Sequence, residues 1–260
     1  MIILFFGDVV GEAATAYLTE RLPQLRAEHG ADLVVANAEN CAPDGLGMSR
    51  KQVEQLLGGG VDVITGGNHS WDNPESVALL DHPRVVRPFN VGTKVPGRGE
   101  LRVEVAGETV TVLNLADPCA MRHVEATAGH FEPAYHGGWL KASRRGTVIV
   151  DYHGDHVIEK QIFARAVDGE AAAVLGTHTH EPTLPLHLLP GGTALVSDVG
   201  MCGPVGGVQG FGYASFVKGL KADGNPMTRP LPTPLSGDIV LGAVRLEIHG
   251  GRTTRLERLS

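Results

Sequence analysis

Five short polar motifs hold the side chains that could carry out chemistry. They read GDVVG, NAEN, GGNHSWD, DYHGD and GTHTH, and they begin at positions 7, 37, 66, 151 and 176. Each motif lies at the end of a short apolar run that predicts a buried strand. Since open α/β sheets bind ligands beyond the carboxyl ends of their strands, we expect the five motifs to meet. Their carboxylates, amides and imidazoles are typical ligands of a metal ion.

The clearest histidine pattern is the pair His178 and His180, two residues apart after an apolar run. In an extended chain both imidazoles would lie on one face and reach one centre. The alternative is a pair of buried structural histidines. Imidazole together with carboxylate favours Mn, Fe or Zn over Ca or Mg. His153 directly follows its predicted strand, so we favour it as a ligand over His156, which falls in the next helix.

The acidic and amide candidates each have a plainer explanation when taken alone. Asp8 could cap a helix, and Glu39 could be a solvated loop residue. Asn37 and Asn40, on either side of Glu39, could stabilise a turn. These alternatives stay open for each residue by itself, whereas five motifs at one predicted locus are hard to attribute to chance.

The GNH tripeptide places a neutral oxygen ligand, Asn68, beside His69. Gly66 and Gly67 would let the backbone approach a ligand closely. Turns of this composition are common, so the tripeptide is a weak signal without the other motifs.

Composition favours an ordinary globular protein with one domain spanning residues 1–260. Apolar residues make up 42% of the chain and charged residues 20%, which is usual for such proteins. The net charge of −7 without a long basic run argues against an extended nucleic-acid groove. No apolar run approaches the roughly 20 residues of a membrane span, and the MIILFF start is too short for a signal peptide. Three widely spaced cysteines fit a reducing, cytoplasmic setting.

The order of predicted elements indicates an α/β fold. Strands are predicted at 2–6, 33–36, 61–65, 101–105, 109–115, 147–152 and 171–175, with helices at 12–28, after Ser49, after Asn73 and at 156–167. Pro23 should break or kink the first helix, and Ser49 with Gln52 predicts a capping box. Hairpins are predicted for 184–189 with 193–198 and for 238–248 with 252–258. Segment 117–146 is interpreted as a helix plus loops, and 211–220 as a short helix.

The ordered motifs resemble the calcineurin-like metallophosphoesterase superfamily: an Asp after the first strand, a bridging acid after the second, GNH, a lone His, then His-x-His. The usual Asp-x-His is absent because position 10 is Val10, and the bridging acid is Glu39 rather than Asp. Both departures, with SDVGMCG at 197–203, resemble the bacterial branch of YmdB-like phosphodiesterases. The resemblance implies two packed mixed β-sheets flanked by helices.

The same resemblance implies a dinuclear centre of two divalent or mixed-valence metal ions, Fe or Mn, with Zn as an alternative. Glu39 would bridge the two ions, and Asn40 would take the place of the histidine missing at Val10. The implied ligands of one ion are Asp8, Glu39, Asn40 and His180, and those of the other are Glu39, Asn68, His153 and His178.

The implied activity is hydrolysis of small phosphodiesters, notably 2',3'-cyclic nucleotides to 3'-nucleotides, by a metal-bridging hydroxide. His69 would stabilise the phosphoryl group or protonate the leaving oxygen. Asp72 could orient His69, although we favour a helix-capping role. Loops 117–146 and 203–217 could shape the substrate pocket, with Tyr135, Trp139 and Phe211 available for stacking or, more simply, packed in the core.

Other functions remain open. An amidohydrolase also uses His-x-His, but near the first strand of a barrel rather than after residue 175. A phosphomonoesterase would use the same metal core, and a non-catalytic regulator could keep the site to bind a nucleotide. A homo-oligomer is compatible with the sequence, which fixes no subunit number.

Overall fold

A computed structural model describes residues 1–225 and 231–259. The strands are β1 (Ile2–Phe6), β2 (Asp8–Val9), β3 (Leu33–Asn37), β4 (Val63–Thr65), β5 (Glu100–Val105), β6 (Glu108–Ala116), β7 (Thr147–His153), β8 (Ala173–Thr177), β9 (His187–Leu188), β10 (Ala194–Val196), β11 (Met201–Pro204), β12 (Ile239–Leu241), β13 (Ala243–His249) and β14 (Arg252–Arg258). The α-helices are α1 (Gly11–His29), α2 (Arg50–Gly59), α3 (Pro74–Leu79), α4 (Pro118–Met121), α5 (Val157–Ala166) and α6 (Ala214–Asp223). Short 3-10 helices cover Asn68–Trp71, Phe89–Val91 and Glu125–Thr127, and a π-helix covers Ala134–Trp139.

Two mixed sheets form the centre of the fold. One has the order β14-β13-β1-β3-β4 and the other β5-β6-β7-β8-β10-β9. Strands β1, β3 and β4 run parallel, as do β6, β7, β8 and β10. A small third sheet has the order β12-β11-β2, and its strand β2 begins at Asp8, one of the predicted metal ligands.

Strand alternation separates the core into layers. Ile3 and Phe5 pack with Ile149 and other residues of the second sheet, whereas Leu4 faces the other way toward the helical layer. Since successive side chains of a strand point to opposite faces, the uninterrupted apolar run of β1 reflects burial on both sides. Trp139 and the helix α5 cover the outer face of the second sheet. The predicted two-sheet fold flanked by helices is confirmed.

Three local predictions were wrong. Pro23 does not break α1, which is continuous from Gly11 to His29, while the alternative of a kink stays a prediction; packing of the apolar face of α1 against the sheet offsets the hydrogen bond that proline cannot donate. Ser49 precedes α2, but its hydroxyl bonds the side chain of Gln52 rather than a backbone N–H, so the capping box does not form.

The third concerns the predicted strand 238–248, which is divided at Gly242 into β12 and β13. The backbones are so close there that a Cβ on Gly242 would lie 2.4 Å from the carbonyl carbon of Gly200. Strand β12 therefore pairs with β11, while β13 and β14 form the expected hairpin. Among the described residues no helix is both long and apolar enough to cross a bilayer. The assignment of 1–260 to one domain stays a prediction.

Candidate metal centre

Every predicted ligand lies at the end of a strand. Asp8 begins β2 just beyond β1, and Glu39 and Asn40 follow β3. In the second sheet His153 ends β7 and the His-x-His pair follows β8. Asn68 follows β4 after two glycines. Both sheets therefore contribute side chains to one locus, as the five motifs predict.

The most crowded atom of this locus is His153 Nε2. It lies 3.0 Å from Glu39 Oε1, 2.9 Å from Asn68 Oδ1 and 3.0 Å from His178 Nδ1. Glu39, His153 and His178 place a ligand atom each within 4.8 Å of one another. One ring nitrogen carries either one proton or one lone pair, so it cannot bond all three neighbours. A cation that accepts all of these lone pairs explains their convergence.

Asp8 and His180 lie next to this cluster. Asp8 Oδ1 is 3.8 Å from His180 Nε2 and 4.0 Å from His153 Nδ1, and Asp8 Oδ2 accepts a hydrogen bond from the His178 backbone. Asn40 donates its amide N–H to the Gly45 carbonyl at 2.8 Å, which leaves its oxygen as an acceptor.

Three buried oxygens at this locus have no hydrogen-bond donor among the residues that the structure describes. They are Asp8 Oδ1, Glu39 Oε1 and Asn40 Oδ1. A buried polar atom without a partner costs about 1–3 kcal/mol, and more when it is charged. Oxygen ligands with imidazole nitrogens are a donor set that divalent transition metals accept. The residues present therefore fit a metal ion, which would remove the cost of each unpaired oxygen.

The two carboxylates differ in acidity. Burial raises the pKa of Asp8 to about 7. Burial also disfavours the charged form of Glu39, but the positive charge that His153 carries when it is protonated outweighs burial and lowers the pKa of Glu39 to about 2. Glu39 is thus ionised across the neutral range, whereas an ionised Asp8 requires additional positive charge nearby.

Glycine is required where the backbone passes closest to the cluster. A Cβ on Gly67 would lie 2.3 Å from His153 Nε2 and 2.4 Å from Glu39 Oε2. The close approach predicted from Gly66-Gly67 is present, and it is toward the candidate ligands themselves.

His69 is held beside the cluster by two contacts. Its Nδ1 lies 2.5 Å from Asp72 Oδ2, and its backbone N–H donates to Glu39 Oε2 at 3.1 Å. Burial lowers the pKa of His69, but the Asp72 hydrogen bond and the Glu39 charge raise it above its usual value overall. Asp72 stands at the C-cap of the 3-10 helix Asn68–Trp71, with its backbone N–H donating to the His69 carbonyl, whereas Asn73 caps α3 by accepting from the Ser76 N–H.

The His-x-His segment is a turn rather than an extended strand. His178 has φ 99° and His180 has φ 65°, a region that costs a non-glycine residue free energy. Both imidazoles reach the centre, as predicted, but the expected reason, a shared strand face, was wrong. The surroundings must hold this turn in place.

Lys160, fully buried on α5, is one support of this turn. Its Nζ donates to the Thr177 carbonyl at 2.8 Å and lies 3.5 Å from Asp198 Oδ2. Asp198 Oδ2 in turn accepts from the Thr179 N–H at 3.0 Å. Lys160 was not identified from the sequence, and Asp198 was visible there only as part of SDVGMCG.

A second support orients His153. Thr177 donates its hydroxyl to Asp151 Oδ1 at 2.6 Å, so its lone pair is left to accept from His153 Nδ1 at 3.0 Å. Asn37 and Thr65 also donate to the other oxygen of Asp151. With the proton held on Nδ1, the lone pair of His153 Nε2 points to the cluster. Burial raises the pKa of Asp151 to about 7.

The remaining histidine and aromatic candidates lie outside the cluster. His156 is exposed, and its backbone N–H donates to Asp117. Trp139 is buried against Phe163 in the outer core, and Tyr135 packs edge-on against the same ring. Phe211 is 8% exposed, and its ring occupies the space beside Gly45. The plainer alternative of core packing holds for all three predicted stacking residues.

Solved structures share this fold. The chain superposes on a novel phosphatase from Mycoplasma pneumoniae with a TM-score of 0.87 and 31% identity, covering 100% of this chain and 92% of the other. A hypothetical protein from Thermus thermophilus matches with a TM-score of 0.87 and 34% identity, covering 100% and 98%. Together with the strand-end cluster, these matches define the class: a calcineurin-like metallophosphoesterase.

The family is narrower than the class. Residues 4–259 match the model of the YmdB-like protein family, and the chain belongs to that family. It is 34% identical over 232 residues to the 2',3'-cyclic-nucleotide 2'-phosphodiesterase of Bacillus subtilis (strain 168), a match that covers 86% of this chain and 83% of that protein.

Proposed function

We propose that this chain hydrolyses small phosphodiesters, with 2',3'-cyclic nucleotides opened at the 2' bond as the substrate class. The observation that carries the proposal is the set of three unpaired buried oxygens, Asp8 Oδ1, Glu39 Oε1 and Asn40 Oδ1, beside the crowded His153 Nε2. The named activity of the Bacillus subtilis relative supports the choice of ester.

Two divalent ions, Fe or Mn with Zn as the alternative, complete the proposed centre. One ion would be held by Asp8, Glu39, Asn40 and His180, and the other by Glu39, Asn68, His153 and His178, so that Glu39 would belong to both ligand sets. Bound ions of this kind neutralise phosphoryl charge and make water a nucleophile near neutral pH.

The chain's own residues supply orientation and proton transfer. His69 Nδ1 is hydrogen-bonded to Asp72, so Nε2 is the ring nitrogen that remains to face the ester. The side chain of His69 is 26% exposed and is therefore accessible to substrate. We assign to Nε2 the proton that the departing 2' oxygen takes up, a contribution of about 10²–10⁴-fold in rate.

A parallel assay tests the proposal. The chain is purified with Mn or Fe, its metal content is measured, and 2',3'-cyclic nucleotides, bis-4-nitrophenyl phosphate, a phosphomonoester and a dipeptide are compared. We expect diester turnover to exceed the other two reactions, with 3'-nucleotides as products. A fully metal-loaded protein that turns over no diester would contradict the proposal, and turnover of the monoester alone would favour a phosphomonoesterase.

A further inference from the structure

A cavity of about 400 Å³ lies in the segment that follows β6. The residues that matter for its chemistry are Met121, Arg122, His123, Val124 and Phe131, and we call it the 118–131 pocket. Its volume is within the range of small-ligand sites, roughly 300–1,000 Å³. None of its lining residues belongs to the candidate metal centre.

The pocket is tied to the strand end that carries His153. Ala116, the last residue of β6, pairs with His153 of β7, and Asp117 follows directly. Asp117 accepts from the His156 N–H at 2.7 Å with one oxygen and from the Ala120 N–H at 2.8 Å with the other. The wall of the pocket therefore has a fixed position relative to the strand end of the centre.

The pocket also borders the segment that carries His69. Met121 and Phe131 pack in one cluster with Trp71, two residues beyond His69.

The lining matches the two chemical halves of a nucleoside. Met121, Val124 and Phe131 offer an apolar surface for a flat base. Arg122 and His123 are exposed beside it and can bond polar ring edges, ribose hydroxyls or the neighbouring phosphate. Arginine is suited to this because its planar guanidinium both stacks and donates in pairs.

We propose that the 118–131 pocket binds the nucleoside part of the phosphodiester, with Arg122 on its rim as a specificity-determining residue. The proposal rests on the proposed function for the identity of the ester. The proposal adds that the nucleoside is recognised by residues that do not contact the candidate metal ligand atoms. A ligand without a nucleoside would not use the pocket.

Equilibrium binding to the metal-loaded protein tests the assignment without relying on turnover. Calorimetry compares a 3'-nucleoside monophosphate with inorganic phosphate for wild type, Arg122→Ala and Ala128→Phe. Ala128 is an exposed lining residue, so the larger side chain fills the pocket with little effect on folding. Arg102→Ala, an exposed arginine on the β5–β6 hairpin, is the matched control.

We expect both pocket variants to lower the affinity for the nucleotide about tenfold, the scale of one charged hydrogen bond. The affinity for inorganic phosphate should change by less than about twofold. Arg102→Ala should change neither. Equal loss of both ligands, or nucleotide binding within about twofold of wild type in both pocket variants, would overturn the pocket assignment. A wild type without diester turnover whose nucleotide binding still falls in the variants would contradict the proposed function and support the pocket.

Discussion

At the scale of single residues, His69 and its partner Asp72 have a role separable from metal binding. The His69 ring makes none of the contacts between candidate ligand atoms within the described residues, and its Nδ1 is bonded to Asp72. We expect His69→Ala to lower turnover about 10²–10⁴-fold while metal content, measured by elemental analysis after dialysis, stays at the wild-type level. His249→Ala, an exposed histidine on β13, is the control. Loss of metal from His69→Ala would show that the ring is a ligand.

Asp151 and Thr177 act on the centre through His153 rather than by direct contact. Thr177→Val keeps the shape of the side chain but removes the hydroxyl that accepts from His153 Nδ1. We expect metal affinity to fall about 10–100-fold, as for other outer-shell partners of metal-bound histidine. Thr177→Ser should restore most of it, and Asp151→Ala should weaken it because the hydroxyl loses its acceptor.

Competition with a chelator measures these metal affinities, and thermal unfolding of the metal-free variants monitors the fold. A purely structural role would lower the unfolding temperature of the metal-free protein and leave affinity unchanged in the folded fraction. Equal affinities for Thr177→Val and Thr177→Ser would contradict the proposed relay.

At the scale of elements, the turn after β8 depends on the helix α5. Lys160→Met removes the ammonium group that donates to the Thr177 carbonyl and lies 3.5 Å from Asp198 Oδ2, whereas the guanidinium of Arg258 donates to the backbone carbonyl of Asp198. Because the partner charge would remain buried, we expect a loss of about 3 kcal/mol in the free energy of unfolding, measured in urea without metal. Adding Asp198→Asn should recover part of it, and Lys218→Met, on the exposed face of α6, should change little. A wild-type unfolding curve for Lys160→Met would contradict this account.

The sequence predicts elements better than it predicts the contacts between them. Apolar runs locate β1, β3 and β7 because those strands are buried on both faces. The same patterns cannot show that Lys160 is buried, since a lysine on a helix is ordinarily exposed and its partners are 17 and 38 residues away. The turn at His178 was missed because a positive φ in a histidine is set by its surroundings rather than by its own preference.

The site residues divide in the same way, into those that motifs identify and those that only tertiary contacts reveal. Motif order identifies Asp8, Glu39 and His153 as a set, since all lie at strand ends. The function of Asp72 depends on a 3-10 helix that brings it back to His69, and no local signal distinguishes this from capping. Trp139 and Tyr135, predicted to stack on substrate, pack in the outer core instead, whereas Phe131 of the same segment lines the 118–131 pocket.

At the scale of the whole molecule, the centre joins two sheets that otherwise meet through an apolar layer. Ile3 and Val35 of the first sheet pack with Ile149 and Leu175 of the second. At the carboxyl ends of these strands the apolar layer gives way to charged and amide groups. The unpaired oxygens are concentrated on the first-sheet side, and two of the cluster histidines come from the second. A bound cation would therefore connect the layers where apolar packing ends.

This arrangement predicts that metal stabilises the fold as a whole. At a free metal concentration of about 100 times Kd, binding adds about 2.7 kcal/mol to the free energy of unfolding, which corresponds to roughly 5–10 °C in Tm. We expect chelation of the holoprotein to lower Tm by that amount and Mn to restore it. Glu39→Gln removes the carboxylate charge that we propose both metal ions share while keeping the side-chain shape, so its Tm should hardly respond to Mn. Glu54→Gln, an exposed residue of α2, should respond as wild type does. An equal response of Glu39→Gln and wild type would mean that Mn stabilises the chain at some other place, and Glu39 would lose its bridging role.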